Sequence, residues 1–284
     1  MKRIAAILLV VLGAAAGFAR WLDLVNFTDP VTEFVQAGSV WLRYGVVAAL
    51  LVAAAAAALL VPRGASLGAR RAPGLGAVAF FAGAAFAALA AGQLLEGSPA
   101  LLPMGLLSLC TAWWLVTLAL NWLERAESRP ASGVYGGIVG TVLFYLLTLQ
   151  RFARNSSSYH RVGPLLGLLA ALLALVFGSA LLRAVQRPRC GNGRKLVFSG
   201  FGCFYLCTCL QLPQAVYGRM TGATAFGTFA IDLALAALGV LGAAVAFYGI
   251  ANAQPVAQGP ETAEMVEKSM SKCTKSFRQS RRLC

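Results

Sequence analysis

The sequence predicts an all-α, polytopic transmembrane helix bundle of about eight spans, and three observations predict it. Hydrophobic residues make up 59% of the 284-residue chain and charged residues only 12%, against about 25% charged in a soluble domain. The apolar residues gather into runs of roughly 20, the length a helix needs to cross a bilayer. The basic residues fall mostly in every second loop. A sphere of this size has no way to hide so much apolar surface from water. The bilayer is therefore the solvent for most side chains, and backbone groups in lipid must be paired within their own segment, as in an α-helix.

The spans follow in order. The first runs from Ile4 to Ala19, with an extension to Leu24. It carries Lys2-Arg3 in front and Ala14, Ala15, Ala16 and Ala19 behind, which is also the layout of a secretory signal. Cleavage would leave seven helices. The stretch continues into Arg20-Trp21-Leu22 without a polar cleavage region, which favours a retained anchor. The second span is Val40 to Val61 and the third Gly74 to Leu95, both crowded with alanine. The fourth is Ala100 to Trp122, the fifth Ser132 to Gln150 and the sixth Val162 to Leu182. The seventh is Leu196 to Tyr217 and the eighth Gly222 to Ala251. Trp21 and Trp41 belong to an outer aromatic belt and Trp122 to an inner one. Residues 1–251 thus form the bundle, and residues 252–284 form a polar, basic tail.

The net charge of +14 is mainly a topology signal. With both termini cytoplasmic, 18 of the 24 Lys and Arg residues lie inside. They sit beside Lys2, in the turns around Arg70, Arg125 and Arg189, and in the tail. Only Arg20, Arg43, Arg151, Arg154, Arg161 and Arg219 lie outside, as the positive-inside rule requires. Nucleic acid is excluded as a partner, because phosphate recognition needs a concentrated basic face.

The first span is followed by Arg20-Trp21, Leu24 and Asp29-Pro30-x-Thr32-x-Phe34. This loop resembles that of a group of uncharacterised multi-spanning membrane proteins from anaerobic Gram-positive bacteria, in which Asp-Pro-x-Thr is followed by Gly-Leu or Gly-Phe. Here Glu33 replaces the glycine. The resemblance covers about the first 60 residues and implies a cell-membrane location, with no known activity. Read by itself, Asp29-Pro30 favours a turn. Asp23, Asp29 and Glu33 make this the most acidic loop, either a ligand or cation site or a solvated turn.

Polar residues inside the spans are few and therefore informative. Asp232 is the one acid well within a span, about ten residues from the outer end of the eighth, or roughly 15 Å deep. A carboxylate there must face protein or water. Gln211 and Gln214 lie beside Pro213 in the seventh span, and Gln93 and Glu96 end the third. Gln150, Arg151 and His160 mark the outer ends of the fifth and sixth. All fall in one half of the membrane. They form either an outward-opening polar vestibule around Asp232, with Gln211, Gln214, Gln93 and Glu96 as ligand-binding residues, or a bonded acid among wetted helix ends. By depth, Asp232 would pair with Gln211 or Gln214, with Arg219 above them.

Gly136 with Gly140, and Gly163 with Gly167, are small-xxx-small pairs suited to close helix packing. Of the seven cysteines, Cys203 and Cys207 share a helix face and would suit a soft metal. No methionine or histidine cluster joins them, so small apolar packing is the favoured reading. His160 is the single histidine, at a span end, which disfavours a His-based metal site and a serine triad made within the membrane. No metal or cofactor is expected. Gln93 and Gln214, each following a basic hairpin, hint at a repeat of four plus four helices.

In the tail, Val266, Met270, Cys273 and Phe277 fall on one helical stripe. Lys268, Lys272, Lys275, Arg278, Arg281 and Arg282 supply the charge for binding anionic lipid at the membrane surface. A disordered polybasic tail accounts for the same residues. Three functions remain. One is a structural, regulatory or accessory membrane subunit, with a membrane-protein partner or a second copy of itself. Another is a small-molecule transporter or permease component using Asp232. An enzyme is disfavoured, because no acid, base or metal groups converge. The orientation is directly testable: an impermeant thiol reagent added to intact cells should leave Cys190 and Cys284 unlabelled, and efficient labelling of either would reverse it.

Overall fold

A computed structural model describes residues 2–29, 34–62, 64–66, 72–96, 98–99, 101–123, 134–154, 160–186, 191–252 and 254–255. Among these are eight helices long and apolar enough to cross a membrane. They are α1 Lys2–Phe27, α2 Val40–Leu59, α3 Pro73–Leu95, α4 Leu102–Leu123, α5 Val134–Arg154, α6 Val162–Gln186, α7 Gly193–Met220 and α8 Phe226–Asn252. All eight expected spans are present, so the chain is an all-α helical membrane bundle. Among the described residues the named strands are a two-residue antiparallel ladder, β1 Ala65–Ser66 with β2 Gln254–Pro255. The six basic tail residues named above and the amphipathic stripe lie outside the described residues.

Boundaries shift where turn chemistry overrides hydropathy. Helix α1 runs on to Phe27, because Arg20 and Asp23 continue the helix and find partners in the bundle. Helix α8 starts at Phe226 rather than Gly222. Gly222 has φ +76°, a left-handed conformation that glycine adopts freely, and Thr224 N–H donates to the Gly218 carbonyl at 2.9 Å, closing the α7–α8 turn. Asp232 therefore lies six residues into its helix, roughly 9 Å from the start at 1.5 Å per residue, shallower than the sequence implied.

Helices α7 and α8 form the centre. In α7, 78% of the most apolar window is buried, against 22% in α1. Helix α1 accordingly turns Ile4, Leu8, Val11 and Phe18 toward lipid. It buries Gly13, Gly17, Arg20 and Leu24. The two central helices touch backbone to backbone: a Cβ built on Gly200 would stand 2.5 Å from the Gly242 carbonyl oxygen, and one on Gly242 would stand 2.6 Å from the Gly200 oxygen. Without a hydrophobic drive between helices in lipid, such close approach maximises dispersion contact. The pairs expected from spacing behave unequally. A Cβ on Gly140 would stand 3.4 Å from Thr111 and Trp114, whereas one on Gly136 would meet nothing within 4 Å.

The middle of α7 is not α-helical. Phe204–Gln211 forms a π-helix, with α-helix resuming at Leu212. Pro213 has no N–H and its ring would crowd the carbonyl four residues back, at Cys209. The wider i→i+5 winding accommodates it. The widened turns also aim side chains at several neighbours. The Tyr205 hydroxyl donates to the Leu9 carbonyl of α1 at 3.1 Å, Thr208 to the Ala236 carbonyl of α8 at 2.8 Å, and Cys207 Sγ to the Ala170 carbonyl of α6 at 3.3 Å.

The glycine contacts give opposite expectations for one kind of substitution. Gly200→Ala should destabilise by about 1–3 kcal/mol, because backbone must move. Gly136→Ala should be neutral or stabilising by up to about 1 kcal/mol through helix propensity. Thermal unfolding in detergent checks both, and equal behaviour of the two would refute the packing account.

Candidate functional site

Five charged residues and two glutamines gather at the end of the bundle where α1 finishes and α2 begins. They form two clusters, joined by α7.

The first cluster surrounds Asp232 of α8, which is 2% exposed. Its Oδ1 is ion-paired with Arg151 Nη2, from the last turn of α5. Arg151 Nη1 donates to the Gly167 carbonyl of α6 at 2.6 Å. Gln211 Nε2, at the end of the π-helix, reaches Asp232 Oδ2 at 3.3 Å. Four helices thus converge on one carboxylate. Gly167 leaves room for that approach, since a Cβ there would stand 3.3 Å from Arg151 Nη1 and press on it. Gln211 Oε1 is buried without a hydrogen-bond partner.

The second cluster centres on Asp23 of α1. Arg20, one turn earlier, donates from Nη1 to Asp23 Oδ2 at 2.6 Å and from Nη2 to Gln214 Oε1 of α7 at 2.6 Å. Arg43 of α2 places its Nε 2.9 and 3.0 Å from the two Asp23 oxygens and donates from Nη2 to the Ala37 carbonyl at 3.1 Å. Gln211 and Gln214 are three residues apart, so α7 carries one amide into each cluster. Trp21 stacks edge-on against Tyr217, ring centres 6.1 Å apart, closing the α1–α7 contact above.

Between α1, α2, α6 and α7 lies a groove of about 180 Å³. Arg20, Asp23 and Arg43 line one end, and Ala16, Val46, Val47, Leu166 and Leu210 line the rest. Above it, the loop after α1 bridges Phe34 to Arg161 at the start of α6, with the Arg161 guanidinium 5.7 Å over the Phe34 ring.

The sequence-predicted residues divide accordingly. Gln211 meets Asp232 as expected. Gln214 instead serves Arg20. Gln93 is buried and accepts the Ser108 hydroxyl at 3.1 Å within the α3–α4 hairpin, and Glu96 is exposed at the end of α3. Neither bonds to Asp232. Arg219, expected above Asp232, lies 5.8 Å over the Phe226 ring. Gln93 and Gln214 have unlike partners. Arg151 was visible as a span-end residue but not as the counter-ion, because nothing in local spacing links positions 81 apart. Arg20, Asp23 and Arg43 read as loop and belt residues, since the i,i+3 spacing of Arg20 and Asp23 counts only once α1 is seen to extend past both. Of the acidic residues assigned to the first loop, Asp23 lies instead within α1, where it holds Arg20 and Arg43. Residues 30–33, with Glu33 among them, lie outside the described residues.

Among the described residues no three His, Cys, Asp or Glu side chains gather as metal ligands. Cys203 and Cys207 are buried with sulfurs 3.8 Å apart. Comparisons with protein families, with curated proteins and with solved structures returned no match to this chain.

A buried ion pair is held by mutual dependence rather than by net strength. Removing one partner strands the other and costs about 3–5 kcal/mol, while replacing both by apolar groups is close to neutral. Asp232→Leu and Arg151→Met should therefore each destabilise strongly, and the double variant should recover most of the loss. A double-mutant cycle by thermal unfolding in detergent checks this, and additive losses would show that the two groups act independently.

Proposed function

We propose that this integral membrane protein is a structural or accessory subunit of the cell membrane, kin to the multi-spanning bacterial proteins its first loop resembles. The observation that supports this is the state of Asp232. Its carboxylate is bonded to Arg151 and Gln211 from two other helices and is closed off from water, as a helix-fastening group would be. A carboxylate that loads and releases a solute must instead exchange its partners during each cycle. Broad apolar faces remain for lipid or for a partner helix: Val52, Phe81 and Trp113 are each more than 60% exposed. The buried face of α1 supports its retention as an anchor, since loss of residues 1–24 would strip Gln214 of Arg20.

The second reading, a transporter component, is favoured by one atom. Gln211 Oε1 is buried and unsatisfied beside the acid, where a water or a transferred proton donor would complete it.

Photo-crosslinking from positions 52, 81 and 113 of the full chain in its native membrane separates the two. The subunit reading predicts a discrete protein adduct from one of these faces. Adducts with lipid alone from all three, together with solute or ion uptake into proteoliposomes that Asp232→Asn abolishes, would overturn it in favour of transport.

A further inference from the structure

Helix α5 packs between α4 and α6 and turns its remaining face out of the bundle. Tyr135, Ile138, Val142, Tyr145, Leu149 and Phe152 lie on that face, each between 38% and 82% exposed. They follow one another at spacings of three, four, three, four and three. This is the seam spacing with which two helices interlock in a left-handed pair, and no charged residue interrupts it. Lipid contact accounts for the apolar members of the seam but not for Tyr145. Tyr145 sits eleven residues after Val134. At 1.5 Å per residue that is roughly 16 Å along the helix, midway through a hydrocarbon core of about 30 Å. The side chain is half exposed, and its hydroxyl makes no hydrogen bond among the described residues. Acyl chains offer no acceptor at that depth, and an unpaired hydroxyl in apolar surroundings is costly. Thr141 and Thr148 flank the seam one turn to either side. Their hydroxyls donate to the Ile138 and Phe144 carbonyls of their own helix, each at 2.7 Å, which leaves both oxygens able to accept.

We propose that the outer face of α5 joins two copies of this chain, paired in parallel about a twofold axis along the membrane normal, with the Tyr145 hydroxyls bonded across the seam. A twofold interface brings the same patch of both copies together, and an axis along the normal holds identical residues at identical depth. Tyr145 then meets the second copy's Tyr145 and the two threonines beside it. A phenol both donates and accepts, and each threonine oxygen accepts, so the face is complementary to itself. A different partner would have to carry its own acceptor to this depth, whereas a second copy does so by symmetry. The pairing goes beyond the choice between accessory subunit and transporter and holds under either. It uses none of the α2, α3 and α4 faces around Val52, Phe81 and Trp113.

The test pairs cross-linking with a measured affinity, both on the full chain. Ile138→Cys, Val142→Cys and Leu149→Cys on the seam, and Phe80→Cys on α3 as a control, are each made with Cys190, Cys273 and Cys284 changed to serine. On oxidation in native membranes the seam variants should give a disulfide-linked dimer, and Phe80→Cys should give no more than the serine background. Subunit counting by single-molecule photobleaching, in liposomes of falling protein density, then measures the dimer constant. Tyr145→Phe keeps the ring and removes only the hydroxyl, so the monomer should melt as the wild type does. Its dimer should weaken by roughly threefold for each interhelical bond lost, or about tenfold where both hydroxyls are engaged. A wild type that stays monomeric at every density would overturn the proposal. So would equal cross-linking at the seam and at position 80, cross-linking of the seam to a different protein alone, or a dimer constant unchanged by Tyr145→Phe. Protein adducts at positions 52, 81 and 113 decide the subunit reading separately, so either idea can fail without the other.

Discussion

A carboxylate placed in hydrocarbon must find a cation or be neutralised by a proton, and in this bundle the cation comes from another helix. Asp232 on α8 and Arg151 on α5 carry opposite charges from distant parts of the sequence into the same layer. Either alone is strongly disfavoured there. Together they fix how deep α5 and α8 sit relative to each other, because a shift of one helical turn would part them. The Gly167 carbonyl and Gln211 amide bring α6 and α7 into the same layer. The Asp23 cluster does the same for α1, α2 and α7. Apolar side chains slide past one another at little cost in lipid, so these directional bonds supply register that packing alone does not.

Helix α7 is the common member of both clusters, and its irregularity suits that position. A regular helix presents one stripe to each neighbour. The π-helical stretch spreads Tyr205, Cys207, Thr208 and Gln211 over contacts with α1, α6 and α8. Widened turns are frequent at functional positions. Here the widening ends at Gln211, the residue that meets the acid, and Pro213 follows two residues later.

Much of the fold was legible because hydropathy is a local property. Each span needed only its own composition, and seven of the eight helices begin within a few residues of where apolar character begins. Where boundaries moved, a polar residue belonged to the helix after all, as with Asp23, or a turn took apolar-looking residues, as at Gly222. The site was half legible. Asp232 and Gln211 stood out as polar groups inside apolar runs. Arg151 sat at a span end, where an arginine facing water and an arginine folded inward look the same in sequence. Arg20 and Arg43 were hidden likewise, because their gathering on Asp23 joins α1 to α2. The missing information in each case was long-range pairing, which no spacing rule encodes.

The central claim is that Asp232 and Arg151 act as one pair that fastens α8 to α5. Exchanging the two charges, Asp232→Arg with Arg151→Asp, tests this most directly by thermal unfolding of the full chain in detergent. The account predicts that each single reversal destabilises strongly and that the double exchange recovers most of the loss. Losses that simply add in the double exchange would contradict it, showing two groups that hold their helices independently.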